Sequence, residues 1–357
     1  SKADPFAPPL PSAEKVERAR VLAMEITSPG RRASALAAVA LSLSRLGRND
    51  EASRLAREAV ALFRPEHLGK ETDTAISFPI GVLARSGGID EALQHIGRLP
   101  HEAQRDASLS RIVSDLAGSS RMDEAIPVLL KIRAPKYKVS PLTDMAVAYH
   151  KAGNAAESDR LLTEARAAIR TIQPPITSDF FSQSLVVALV RVGRPKDAIA
   201  LASSSAADGA RRYLLTSLGS VLAKSGHHAE ARSAFNLAKA AARVDATSGF
   251  MAGYLADIAA SQSLAGFSAE ATATVSEAEA ERNKLKDAYY RSNASFHLAP
   301  AMAALKRYDE ALAHARSVEE GILRPLSYAR VAYALVKDDR LREAMALVST
   351  AADAEGQ

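Results

Sequence analysis

The chain has 357 residues, of which 47% are hydrophobic, 24% charged and 5% aromatic, with no cysteine, no tryptophan and a net charge of +5. That length allows two ordinary domains or one long repeat array. The missing cysteines exclude disulfides, thiolate chemistry and cysteine-ligated zinc, and the mild charge permits an acidic partner without requiring nucleic acid.

Residues 1–11 carry four prolines and no periodicity, which predicts an extended, flexible tail. No signal peptide is visible. The first residue is not methionine, so a mature exported protein and a cytoplasmic chain both fit, and the compartment stays open. No apolar run approaches the 18 residues of a membrane span. Residues 12–30 predict a capping helix, Ser12 to Thr27, with Ala19, Ala23 and Ile26 on one face and Pro29-Gly30 closing it.

From residue 31 to 353 one phrase recurs nine times. Its acid–small pair stands at Glu51-Ala52, Glu91-Ala92, Glu124-Ala125, Glu157-Ser158, Asp197-Ala198, Glu230-Ala231, Glu270-Ala271, Glu310-Ala311 and Glu343-Ala344. Positions 16, 13, 12 and 9 before the pair's second residue are apolar or small, as in Leu36, Val39, Ala40 and Leu43, or Leu215, Leu218, Gly219 and Leu222. These spacings form one stripe of a helix. Positions 4 and 7 after it form the inner stripe of a second helix, as in Phe235 and Ala238. Glycine stands five residues before the pair's second residue in six copies, where it ends the first helix in the left-handed conformation. Ser120, Lys306 and Asp339 replace it in the other three, predicting turns that are strained or differently built. The acid falls in the first turn of the second helix, where the helix dipole favours it.

Successive copies are 40 or 33 residues apart. The difference of seven residues is about two helical turns, so the long repeats are expected to carry a longer second helix or linker. Pro174-Pro175 marks the expected internal bend. Residues 354–357 form a short tail.

The nine helical hairpins in register resemble the tetratricopeptide repeat. The resemblance implies an all-α solenoid, a right-handed superhelix whose concave groove binds proteins or peptides. Armadillo and HEAT arrays also use paired helices, and the 40-residue gaps fit them too.

Chemistry is sparse. No histidine stands in an HExxH pattern, the His227-His228 pair reads as a solvated turn, and Gly69-Lys70 has the wrong neighbours for a phosphate loop. Ser12-Ala13-Glu14-Lys15 matches SxxK, but its serine reads as a helix cap. The chain is therefore read as no enzyme, with no cofactor and no metal. The candidate binding residues are a basic column seven residues before the pair, Arg45, Arg85, Lys151, Arg191, Lys224 and Lys337, and four aromatic residues at groove-facing positions, Phe180, Tyr213, Phe296 and Tyr333. The column is a candidate binder of acidic segments. It is also accounted for by cations at helix C-termini. The groove-facing positions are taken as 18, 15, 11 and 8 before the pair, and carry small residues such as Ser34, Thr74, Ser77 and Ser114. Arg48, Arg121, Arg194, Arg307 and Arg340 in the turns read as solvated loop residues. Met345, Leu347 and Val348 make the last helix more apolar than one inward stripe requires, which predicts a C-terminal interface with another copy or a partner.

The function read from these features is a non-catalytic protein-interaction scaffold. The alternative is a helical-repeat nucleic-acid binder using the basic column, against which the mild charge counts. The third reading is a carbohydrate-active enzyme built of helical hairpins, against which the absence of clustered acids counts.

Overall fold

The computed structural model describes residues 12–63, 76–173, 175–244, 249–319 and 323–355. Residues 1–11, His67, Gly69-Lys70, Thr74, Pro174 and the side chains of residues 350–357 lie outside what is described. All regular structure among the described residues is α-helical. The chain divides into two compact units, Ser1–Val192 and Gly193–Gln357.

Unit 1 begins with α1 (Ala13–Glu25), whose N-cap Ser12 accepts a hydrogen bond from the Lys15 amide at 3.3 Å. The serine of the SxxK match is thus a helix cap. Val16 and Ala23 are the buried residues of α1, whereas Ala19 is exposed. The packed face is therefore set by Val16, not Ala19. Hairpins follow as α2 (Pro29–Arg45) with α3 (Asn49–Ala61), α4 (Ser77–Arg85) with α5 (Ile89–Gly97), α6 (Glu102–Gly118) with α7 (Met122–Leu129), and α8 (Pro135–Lys151) with α9 (Ala155–Arg170). The unit ends with α10 (Pro175–Arg191). First helices also pack on one another in sequence, α2 on α4, α4 on α6, α6 on α8 and α8 on α10.

Unit 2 begins with α11 (Pro195–Ser203). It continues with α12 (Asp208–Lys224) and α13 (His228–Val244), α14 (Met251–Leu264) and α15 (Ser268–Lys284), α16 (Ala288–Ala304) and α17 (Tyr308–Ser317), and α18 (Leu323–Lys337) and α19 (Leu341–Glu355). Here α12, α14, α16 and α18 make the continuous first-helix layer. Each unit is a stretch of α-solenoid, in which a hairpin buries one face internally and the other against its neighbours.

The predicted stripes form this core. Leu36, Leu43, Ile112, Leu116, Leu218, Leu222, Val331 and Leu335 are buried, as is the second residue of all nine acid–small pairs. Gly219 faces Phe235 so closely that a Cβ there would sit 2.7 Å from the ring. The long gaps follow α3, α9, α13 and α15, which have 13, 16, 17 and 17 residues, and the short gaps follow α5, α7, α11 and α17, with 9, 8, 9 and 10.

The nine turns share one conformation. The six glycines have φ between +76° and +105°, and Ser120, Lys306 and Asp339 have φ of 59°, 62° and 58°. The amide one residue later reaches back to the carbonyl five residues earlier, as Arg48 N to Leu43 O and Arg307 N to Met302 O, both at 3.0 Å. This is the Schellman closure. The three turns without glycine are therefore strained copies of the common turn, not different constructions.

Candidate functional site

The face of a first helix opposite its core stripe is fixed by helical geometry. At 100° per residue, positions 18, 14, 11 and 7 before the pair's second residue lie opposite positions 16, 13, 12 and 9. Positions 15 and 8 turn toward a neighbouring first helix, and Ala37, Ser77, Thr143 and Ala256 at position 15 are buried accordingly. The open stripe thus includes position 14, which the sequence reading passed over. Its signal was present, because position 14 carries Arg111, Asp144, Asp257, His297 and Arg330.

In unit 1 this face is polar. Arg111 donates to Asp115 at 2.8 Å and lies over the Phe78 ring at 5.2 Å. Gly81 makes room for the pair, since a Cβ there would be 2.5 Å from Arg111 and 2.7 Å from Asp115. Beneath this face, between α4 and α6, buried Ser77 shares a hydrogen bond with Ser108 at 3.0 Å, and part-buried Ser140 with Ser184 at 3.1 Å. Between α8 and α10 a cleft of about 280 Å³ is lined by Ser140, Thr143, Asp144, Gln183 and Arg191. Burial pushes the Asp144 carboxyl above the usual carboxylate range, against the hydrogen bond from Ser114 and the charge of Arg191.

In unit 2 the same face is aromatic and cationic. Arg330 lies 4.4 Å from the Phe296 ring centre and Lys337 4.8 Å from Tyr333, and beside this stripe, between α12 and α14, the Arg212 guanidinium lies 3.8 Å from the Tyr254 ring centre. Asp257 holds Nδ1 of His297 at 2.8 Å, and Gly253 leaves the space that His297 and Asn293 fill. Phe250, Tyr254, Tyr289 and Tyr290 form a cluster with ring centres 5.0–6.3 Å apart.

The predicted site residues separate accordingly. Tyr213 is 51% and Tyr333 63% exposed on the unit 2 face, but Phe296 is only 7% exposed, because position 15 points between helices and Arg330 covers it. Phe180 is 68% exposed on α10 beside Phe181. Arg45, Lys151, Lys224 and Lys337 occupy last helical turns with exposed side chains, while Arg85 and Arg191 are half-buried. Arg191 faces Asp144, and Arg85 lies within electrostatic reach of Arg45. At the C-terminal helix Met345 is 63% and Val348 52% exposed, whereas Leu347 is half-buried.

The turn arginines are not solvated loop residues. Arg48, Arg121, Arg307 and Arg340 each place two nitrogens on the acid of their own phrase, Glu51, Glu124, Glu310 and Glu343, and Arg194 bonds Asp197 at 2.6 Å. A second recurring arginine, 20 residues before the pair's second residue, escaped the sequence reading. Arg32, Arg105, Arg211, Arg291 and Arg324 each donate to the carbonyl six residues earlier, Ile26, Leu99, Ser205, Leu285 and Val318. These bonds tie the start of a first helix to the end of the preceding helix. Ten arginines of the basic complement therefore serve the fold.

No described helix is long and apolar enough to cross a membrane. No family model and no curated protein matches the chain. Among solved structures, it resembles the crystal structure of Ton1535 from Thermococcus onnurineus NA1, at 14% identity over 78% of this chain and 97% of that one, with a TM-score of 0.32. It also resembles the crystal structure of aspartyl phosphate phosphatase F from Bacillus subtilis, at 11% identity over 98% of this chain and 96% of that one, with a TM-score of 0.33.

Proposed function

We propose that the chain is a non-catalytic, tetratricopeptide-like scaffold that holds a protein or peptide segment against its first-helix layer. The observation that carries this reading is the unit 2 face, where Arg330 stacks on Phe296 beside the exposed rings of Tyr213 and Tyr333. Arginine and tyrosine on a pre-ordered surface are the residue types that dominate protein-interaction hot spots. The rings are large and rigid, and the stacked Arg330 guanidinium keeps donors for carboxylates or backbone carbonyls. Arg330 and Lys337 outweigh Asp257 on this face, so the segment it suits is acidic with apolar residues interspersed.

The test is affinity capture from the native host by the whole chain and by an Arg330→Ala/Tyr333→Ala variant, with bound material identified. Proteins retained by the native chain and lost with the variant support the scaffold. Identical capture by both, or captured nucleic acid whose retention falls steeply with salt, overturns it.

A further inference from the structure

One edge of unit 1 carries positive charge that the fold leaves uncompensated. Three first helices, α2, α4 and α6, end side by side there. The cleft at their ends, about 450 Å³, is lined by Ser44, Asn49, Arg85, Ser86, Ser119 and Arg121.

Its two arginines differ. Arg121 has all three nitrogens engaged: Nε and Nη2 bond Glu124 at 2.6 and 2.7 Å, and Nη1 bonds the carbonyls of Arg85 and Ala84 at 2.9 and 3.3 Å. It thereby satisfies the C-terminal carbonyls of α4, the task a cation at a helix end usually performs. Arg85, whose own helix end is thus already served, makes no hydrogen bond or ion pair with any described residue, and its Nε is buried without a partner. Its guanidinium lies past Gly118, where a Cβ would be 3.9 Å from Nη1. Burial holds its pKa below the ordinary arginine value, and the like charges of Arg45, Arg111 and Arg121 add to this. Asp115 is the opposing charge, and it is already bonded to Arg111 at 2.8 Å. Exposed Arg45 also has no partner among the described residues.

The remaining lining groups sort in the same sense. Ser86 Oγ donates to Val82 O at 2.8 Å, Ser119 Oγ to Asp115 O at 2.9 Å and Ser44 Oγ to Asn49 Oδ1 at 3.2 Å. With those hydrogens used inside the protein, the donors left for a ligand are the Arg85 guanidinium, the Asn49 amide and one Arg121 Nη2 hydrogen, with Arg45 close by. A desolvated cation without a partner is costly, and one so placed is preorganised for an anion. Two unpaired guanidiniums match the charge of a phosphate dianion, and their planar donors suit its oxygens.

We infer that this cleft is an oxyanion site for a phosphate group, with Arg85 as its principal ligand and Arg45 closing its open side. The inference concerns unit 1 and does not depend on the reading of the unit 2 face.

The test is calorimetric titration of the whole chain with inorganic phosphate at constant ionic strength, chloride replacing phosphate in the control, alongside thermal unfolding. Phosphate is expected to bind and to raise the unfolding temperature above the chloride control. Arg85→Gln should weaken phosphate by about tenfold or more, the scale of a lost charged hydrogen bond. In phosphate-free buffer the same variant should be at least as stable as the native chain, because it removes an uncompensated charge. Lys151→Gln, in the same column but away from the cleft, should change neither readout. Should Arg85→Gln fail to fold, the exposed Arg45→Gln substitution provides the same test. Phosphate acting no differently from chloride, or variants binding like the native chain, overturns the site. A phosphoserine peptide bound more tightly than inorganic phosphate assigns the group to a protein segment, and equal affinity assigns it to free phosphate; either keeps the site.

Discussion

Arg121 grips both oxygens of Glu124, at 2.6 and 2.7 Å, from three residues upstream. The same fork recurs at Arg48–Glu51, Arg307–Glu310 and Arg340–Glu343, so the acid of the repeated phrase has a specific partner as well as the general favour of a helix start. Three of the four copies without this arginine find others. Glu157 takes Arg160, Glu91 takes Arg57 of the previous hairpin, and Glu270 takes Arg232 likewise. Arg121→Ala is expected to cost about 1–2 kcal/mol, the fork alone contributing at the low end because solvent screens it, and the lost carbonyl bonds the rest. Arg121 holds the Glu124 carboxyl below its ordinary value of 4.5, so the pair's contribution is present above that value and is lost as pH falls through the lowered one. Urea unfolding at pH 7 and pH 3.5 checks this: the native–variant difference should shrink in acid.

Ser120, Lys306 and Asp339 hold a left-handed conformation that costs a side-chain-bearing residue roughly 1–2 kcal/mol. Ser120→Gly should therefore raise stability by about 0.5–1 kcal/mol after glycine's added unfolded-state freedom. Lys306→Gly should gain less, because Lys306 Nζ also pairs with Asp338 at 3.1 Å. Conversely Gly226→Ala, at φ +84°, should lose stability. Thermal unfolding of the four chains orders them.

Gly219 and Phe235 occupy one space. Gly219→Ala puts a methyl group 2.7 Å from the ring and should cost about 1–3 kcal/mol by overpacking. Phe235→Leu in the same chain should recover part of that loss. Additive effects in the double mutant would show that the two residues do not share the contact.

His314 is packed between second helices of unit 2, with Nε2 3.5 Å from Glu279. Burial holds its pKa below the ordinary value of 6.5, Arg282 adds to this, and Glu279 and Glu310 oppose it. The unfolded chain therefore takes up the proton first as pH falls. Stability from this group is complete above about pH 6.5 and declines below it until the folded pKa is reached. Half-buried His95 acts in the same sense. The denaturation midpoint should fall between pH 7.5 and 5.5, and fall less in His314→Gln.

The sequence by itself determined the repeat. Period, apolar stripe and left-handed turn are local properties of a helical chain, and Leu218, Ala231 and Ser120 lie where a 100° step and a Schellman closure require. Helix lengths followed from the gaps for the same reason. Tertiary structure decided the faces and the partners. Position 14, with Arg111, Asp144, His297 and Arg330, joins the open stripe while position 15 is claimed by the neighbouring first helix, an arrangement no single hairpin specifies. The same packing buries Phe296 and leaves Tyr333 open. The arginines were ambiguous for a related reason. A cation reads alike in sequence whether it meets water, a carboxylate or a carbonyl, and only the docked hairpins place Arg121 on three partners, Arg32 on the Ile26 carbonyl, and Arg85 beside a cleft with none.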